Sequence, residues 1–140
     1  MEDAVIAEHR KALDPKMLRM CMGLFATGVT VVTYTADGSP AGMTANAFMS
    51  VSLDPPLVLV SVRASSRFNK WVQRGVRYGI NLLAESQRTL SMHFGGSPSD
   101  NLELPFVGDQ GAPLLDGSLA QIVVRTVDVH PAGDHFLYIG

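Results

Sequence analysis

Short apolar runs separated by turn residues dominate this chain, and few carry the 3.6-residue period of a long helix. Val29 to Thr35 is β-branched and apolar on both faces, which predicts a buried strand. Asp37-Gly38 is a hairpin turn signal. A second strand is therefore expected from about Ala41 into a run of small residues, and a third from there to Leu53. Pro55-Pro56 cannot continue a central sheet and marks a break, after which Leu57 to Val62 predicts a fourth strand. Val76 to Leu83 predicts another, and Leu119 to His130 a long one that Pro131-Ala132-Gly133-Asp134 turns back into His135 to Gly140.

Helical signals are brief. Asp14-Pro15 reads as a cap followed by a first-turn proline, opening a helix with Met17, Leu18, Met20, Cys21, Leu24 and Phe25 that Gly23 weakens and Gly28 ends. Ser65-Ser66 predicts the start of a short helix over Arg67 to Arg74, with Phe68 and Trp71 on it. Ser86 is expected to cap a second, carrying Leu90, Met92, His93 and Phe94 and closed by Gly95-Gly96. Residues 97–118 read as an irregular excursion, and residues 1–13 as a frayed N-terminal extension. At least six strands with no βαβ rhythm and no repeat imply a mainly β, antiparallel barrel or sandwich.

The length of 140 residues suits a single domain over 1–140, and 46% hydrophobic against 17% charged residues supports a sizeable core. A net charge of −2 with scattered cations offers no field for nucleic acid or an acidic membrane, and no apolar run approaches the roughly 20 residues of a membrane span. The acidic start Met1-Glu2-Asp3 lacks an export signal, and the one cysteine, Cys21, cannot form an internal disulfide, so a reducing cytoplasm is the expected location. The chain has no GxGxxG after a strand, no phosphate-binding GxxxxGK[ST] and no GxSxG elbow. None of His9, His93, His130 and His135 falls in a zinc-ligand spacing.

Three features remain as candidate chemistry. Thr44-Ala45-Asn46-Ala47-Phe48 would let a flat ligand approach main chain, although a small-residue strand under a helix gives the same pattern. Ser65-Ser66-Arg67 offers hydroxyls and a guanidinium to an anion, although an ordinary cap beside a solvated arginine fits as well. His135, directly after the Gly133-Asp134 turn, could orient a ligand from a barrel rim, or simply be exposed.

Taken together, the blocks Phe25–Thr33, Gly42–Phe48, Ser50–Val58, Ser65-Ser66, Gly111–Gly117 and Ala132–His135 resemble the flavin reductase-like family, the FMN-binding split-barrel reductases, over about residues 18–140. The resemblance implies a six-stranded antiparallel split barrel of Greek-key type, working as a homodimer. It implies FMN (or FAD) held along its ring by Thr44, Ala45, Asn46, Ala47 and Phe48 with Ser50 nearby. The phosphate end would lie near Ser65, Ser66 and Arg67, with Phe94 close, and His135 beside the nicotinamide pocket. The implied reaction is hydride transfer from NADH or NADPH to flavin, with reduced flavin passing to a separate monooxygenase. No side-chain acid is required, so no catalytic residue is assigned.

Two departures from the family pattern stand out. Ala47 occupies a position where serine is common, and family members continue about one strand beyond the glycine matching Gly140, so a C-terminal strand is expected to be missing. Two other readings share the fold: a flavin-binding protein without reductase turnover, and a dimer-forming subunit that has lost its ligand.

Overall fold

A computed structural model of the chain describes residues 13–108 and 111–140. The N-terminal extension expected over 1–13 therefore lies, apart from Leu13, outside the described residues. Helix α1 (Pro15–Met22) begins as its sequence indicates, with the Asp14 carboxylate accepting from the Lys16 amide at 2.9 Å. It ends at Gly23 rather than continuing to Phe25, and none of its residues is buried.

The strands are β1 (Thr30–Ala36), β2 (Ser39–Ala45), β3 (Phe48–Leu53), β4 (Pro56–Arg63), β5 (Arg77–Leu82), β6 (Phe106–Val107), β7 (Leu114–Leu115), β8 (Ala120–Arg125), β9 (Asp128–Ala132) and β10 (His135–Ile139). Helix α2 (Phe68–Trp71) follows β4, and a 3₁₀ turn at Glu85–Gln87 leads into α3 (Arg88–Phe94). One sheet runs β2-β1-β5-β8, a second β3-β4-β10-β9, and β6-β7 form a ribbon; every pairing is antiparallel. The mainly β, antiparallel class with short helices is as expected. The described strands number ten rather than six, and the two large sheets keep separate edges instead of closing into one cylinder.

Local chemistry explains the pairings. Asp37 and Gly38 both adopt positive φ (51° and 76°), the conformation of a two-residue turn matching strand twist, and they set the β1–β2 register from Ala36↔Ser39 to Thr30↔Ala45. Asn46-Ala47 then carries the chain from one sheet to the other. The predicted long strand from Leu119 to His130 does the same in the middle. Thr126 bonds back to Val76 through its amide (3.0 Å), whereas the next amide, Val127, donates to Ile139 of the opposite sheet (2.7 Å). The change of partner divides the run into β8 and β9.

Ser86 is not a cap. The Gln87 side chain reaches back to the Ala84 amide (2.9 Å) and donates to the Asp116 carbonyl (2.9 Å), so the turn starts at Glu85 with Ala84 in the capping position, two residues before Ser86. The core lies between the two sheets. Its centre is Phe68 of α2, fully buried among Tyr34, Tyr78 and Tyr138 at edge-to-face ring distances of 5.1, 5.4 and 4.9 Å. Burial pushes the Tyr78 hydroxyl far above the usual phenol range. Among the described residues no helix is long and apolar enough to cross a membrane, and no group of acidic, histidine or cysteine side chains could hold a metal ion.

Candidate active site at the sheet crossing

Where β2 leaves its sheet, a cleft of about 400 Å³ opens, a size typical of small-molecule sites. One wall is Met43, Thr44, Ala45, Asn46 and Ala47; the other is Ser61, Val62 and Arg63 of β4, Ser66 and His135, with Phe94 and Gly95 at the end of α3. The crossing itself is held by main chain: the Phe48 amide donates to Asn46 (2.9 Å) and the Ser61 amide to Ala47 (3.0 Å). Small side chains at Ala45 and Ala47 leave that main chain open to a flat ligand.

Each functional side chain has a structural reason for its place. Thr44 donates its hydroxyl to the Ser91 carbonyl of α3 (2.6 Å), tying the helix over the cleft. Phe94 lies on β2 because residue 42 is glycine: a Cβ there would meet the Phe94 ring at 3.0 Å. The ring also packs against Phe106 of the ribbon at 6.0 Å. Ser66 accepts from the Phe68 amide (3.3 Å), and its hydroxyl lies 3.5 Å from the Met43 sulfur. The Asn69 amide nitrogen donates to the carbonyls of Arg63, Ala64 and Ser66 (2.8, 3.1 and 3.1 Å), and its oxygen accepts from the Tyr138 hydroxyl (2.7 Å). Asn69 thus clamps the loop that presents Arg63 and Ser66.

His135 stands opposite Arg63 in the β10–β4 register. Its Nδ1 is 2.7 Å from Asp134 Oδ1. That hydrogen bond, then the positive charge that His135 carries when protonated, hold the Asp134 carboxyl below its ordinary range, and Arg63 adds to the effect. By the sign of linkage, a lowered carboxylate keeps this contact ionised at neutral pH and loses it only as pH falls through the lowered value.

The sequence candidates divide accordingly. Thr44, Ala45, Asn46, Ala47, Ser66, Phe94 and His135 converge on the cleft. Four do not line it. Phe48 turns inward to pack against the core. Ser50 lines a separate groove with Leu53, Pro55 and Val124, beside the register shift that interrupts β3 between Ser50 and Ser52. Ser65 is exposed outside the cleft. Arg67 lies towards Tyr34, whose hydroxyl is raised by burial and partly lowered again by that guanidinium. The expected anion-binding helix start also shrinks, since α2 has only four residues and too little dipole to matter. Met43, Ser61, Val62, Arg63 and Gly95 are lining residues that sequence reasoning passed over. Arg63 was findable as the cation ending an apolar strand two residues before the serine pair.

Residues 22–140 match the family model described as the flavin reductase like domain. The chain belongs to the flavin reductase-like family. It is 44% identical over 142 residues to an NADH-dependent flavin reductase from a Rhodococcus species, covering 96% of this chain and 81% of that protein. The flavin reductase PheA2 in its native state superimposes with a TM-score of 0.86 at 44% identity, covering 91% of this chain and 84% of that one. The styrene monooxygenase flavin reductase from Pseudomonas putida S12 gives 0.79 at 37%, covering 86% and 80%.

Proposed function

We propose that this chain is an NAD(P)H:flavin oxidoreductase that transfers hydride from a nicotinamide to FMN or FAD. The observation that carries the reading is the cleft at the sheet crossing, where open main chain at 44–47 faces the cationic and hydroxyl pair Arg63 and Ser66. These residues fit a flavin: a flat ring with polar edges needs close main-chain approach, and an anionic tail needs a guanidinium. Thr44, Ala45, Asn46 and Ala47 would lie along the ring, Ser66 and Arg63 at the phosphate, and Phe94 against the ligand's side. His135 would border the nicotinamide. The two-electron chemistry is supplied by the bound flavin. The chain's own share is to stack and orient the two rings, which lowers the barrier through proximity.

Two further parts of the reading concern partners. Reduced flavin would pass to a separate monooxygenase, a reading supported by the similarity to a protein named as the flavin reductase of styrene monooxygenase. A homodimer is supported by α1 and its continuation, where Met20, Leu24 and Phe25 are 75%, 87% and 72% exposed. An eight-residue helix burying nothing cannot sustain itself, and a second copy would cover it. A cytoplasmic location accords with the single, exposed Cys21.

Anaerobic mixing with FMN and NADH tests the activity. The expected result is loss of the flavin's visible absorbance on the order of 10 times per second, a typical enzymatic turnover. Bound flavin that stays oxidised would favour a flavin-binding protein without turnover; absence of binding would overturn both readings.

The anion end has its own test. Arg63→Ala should weaken FMN about tenfold and leave riboflavin nearly unchanged, because only FMN carries the phosphate. Tenfold is the lower end of the worth of a hydrogen bond to a charged group, as Arg63 is exposed. Arg67→Ala should alter neither affinity when both are measured by fluorescence titration.

A further inference from the structure

We propose that Asp134 is a positioning residue: it fixes His135 with its proton on Nδ1, so that Nε2 meets the nicotinamide carboxamide as a hydrogen-bond acceptor. The proposal rests on the reading that His135 borders the nicotinamide. Its geometric basis is the 2.7 Å separation of His135 Nδ1 from Asp134 Oδ1. An ionised carboxylate can only accept, so the nitrogen facing it must carry the hydrogen. In the neutral ring the other nitrogen is then a bare acceptor.

The supporting structure holds the pair in register. Gly133 takes a positive φ of 61°, which closes the turn. The Asp134 carbonyl accepts from the Ala64 amide at 2.9 Å, anchoring the turn to the end of β4. His135 is paired with Arg63 across the β10–β4 ladder and is half-buried at the cleft wall. Asp134 from the turn and Arg63 from β4 are the charged groups this placement sets beside the ring. Asp134 titrates below the ordinary aspartate range, and even an ordinary aspartate is ionised at neutral pH, so its carboxylate is an acceptor there.

An acceptor at Nε2 complements the carboxamide N–H₂ of NADH and disfavours an analogue that has lost it. Asp134 would therefore act on donor recognition through His135 without touching the donor.

The test uses the full chain with FMN in four forms: wild type, Asp134→Asn, the conservative Asp134→Glu and His135→Ala. Long-range proton–nitrogen NMR of ¹⁵N-histidine-labelled protein, above the ordinary imidazole range, reads which nitrogen bears the proton. Steady-state rates compare NADH with reduced 3-acetylpyridine adenine dinucleotide, in which a methyl replaces the amide nitrogen. In wild type His135 is expected as the Nδ1–H tautomer. In Asp134→Asn the new side chain can donate to Nδ1 and should invert the tautomer. The preference for NADH over the analogue should then fall about tenfold, through KM rather than kcat, and Asp134→Glu should restore much of both. A tautomer indifferent to Asp134→Asn overturns the proposal; if His135→Ala still raises the KM for NADH, the nicotinamide reading survives that failure. An inverted tautomer with unchanged donor preference also overturns it, and an unchanged KM in His135→Ala would remove the reading beneath it.

Discussion

Replacing Phe68 with alanine is expected to lower the unfolding free energy by about 3–5 kcal/mol, the range for deleting a fully buried aromatic ring. The ring is wholly inaccessible and meets three tyrosines edge-on, so its removal leaves a cavity with little to collapse into it. Four-residue α2 has no independent stability, and this side chain is the one that seats it between the sheets. The loss should extend to the site. Asn69 is the next residue, and its amide nitrogen holds the carbonyls of Arg63, Ala64 and Ser66. Urea unfolding should show the loss as a lower midpoint at unchanged slope, with weaker flavin binding in the same variant. Phe68→Leu, which keeps most of the volume, should lose roughly 1–2 kcal/mol. If Phe68→Ala unfolded at the wild-type midpoint, the aromatic centre assigned to this core would be wrong.

Much of the fold was written locally. Asp37-Gly38 determines a turn by backbone conformation alone, and the β-branched run after Val29 needs burial on both faces, so β1 and β2 follow from their own residues. The division of the Leu119–His130 run could not be read in this way. Thr126 and Val127 are β-branched like Val123, Val124 and Val129 on either side, and what separates them is a change of partner from Val76 to Ile139, both distant in sequence.

The site shows the same limit. Thr44 to Ala47 are contiguous, so one crossing delivers them together. Arg67 is the conspicuous cation beside a serine pair, yet the strand before that pair brings Arg63 to the cleft, opposite His135. Ser50 shares the same hydroxyl-rich stretch, but a register shift no alternation pattern predicts places it in another groove. The association of the crossing with Phe94 and His135 came from family resemblance, since no periodicity relates residues so far apart.

Asn81→Leu is expected to cost about 2–5 kcal/mol, and to weaken flavin binding without altering a residue of the cleft. Asn81 is fully buried in β5, and its amide nitrogen donates to the Val31 carbonyl (2.9 Å) and to the Thr33 hydroxyl (3.0 Å). Its oxygen accepts from the Leu115 amide at 2.8 Å. The Thr33 hydroxyl in turn donates to the Pro113 carbonyl, so two adjacent strands grip the returning limb of the excursion. Leucine matches the volume but orphans the buried Leu115 amide, at about 1–3 kcal/mol for each group left unpaired. The effect then travels by contact. Leu114–Leu115 form one strand of the ribbon, Phe106 stands opposite Leu115 in the other, and Phe106 packs on Phe94 at the cleft. Asn81→Asp separates the two roles: it keeps an acceptor for Leu115 but sets an oxygen against the Val31 carbonyl and buries a charge or a proton. It should therefore also destabilise the protein, while holding the ribbon better than leucine does. Amide exchange at Leu115 reads the tether and flavin titration reads the cleft; faster exchange in Asn81→Leu with undiminished affinity would show that the ribbon does not support Phe94.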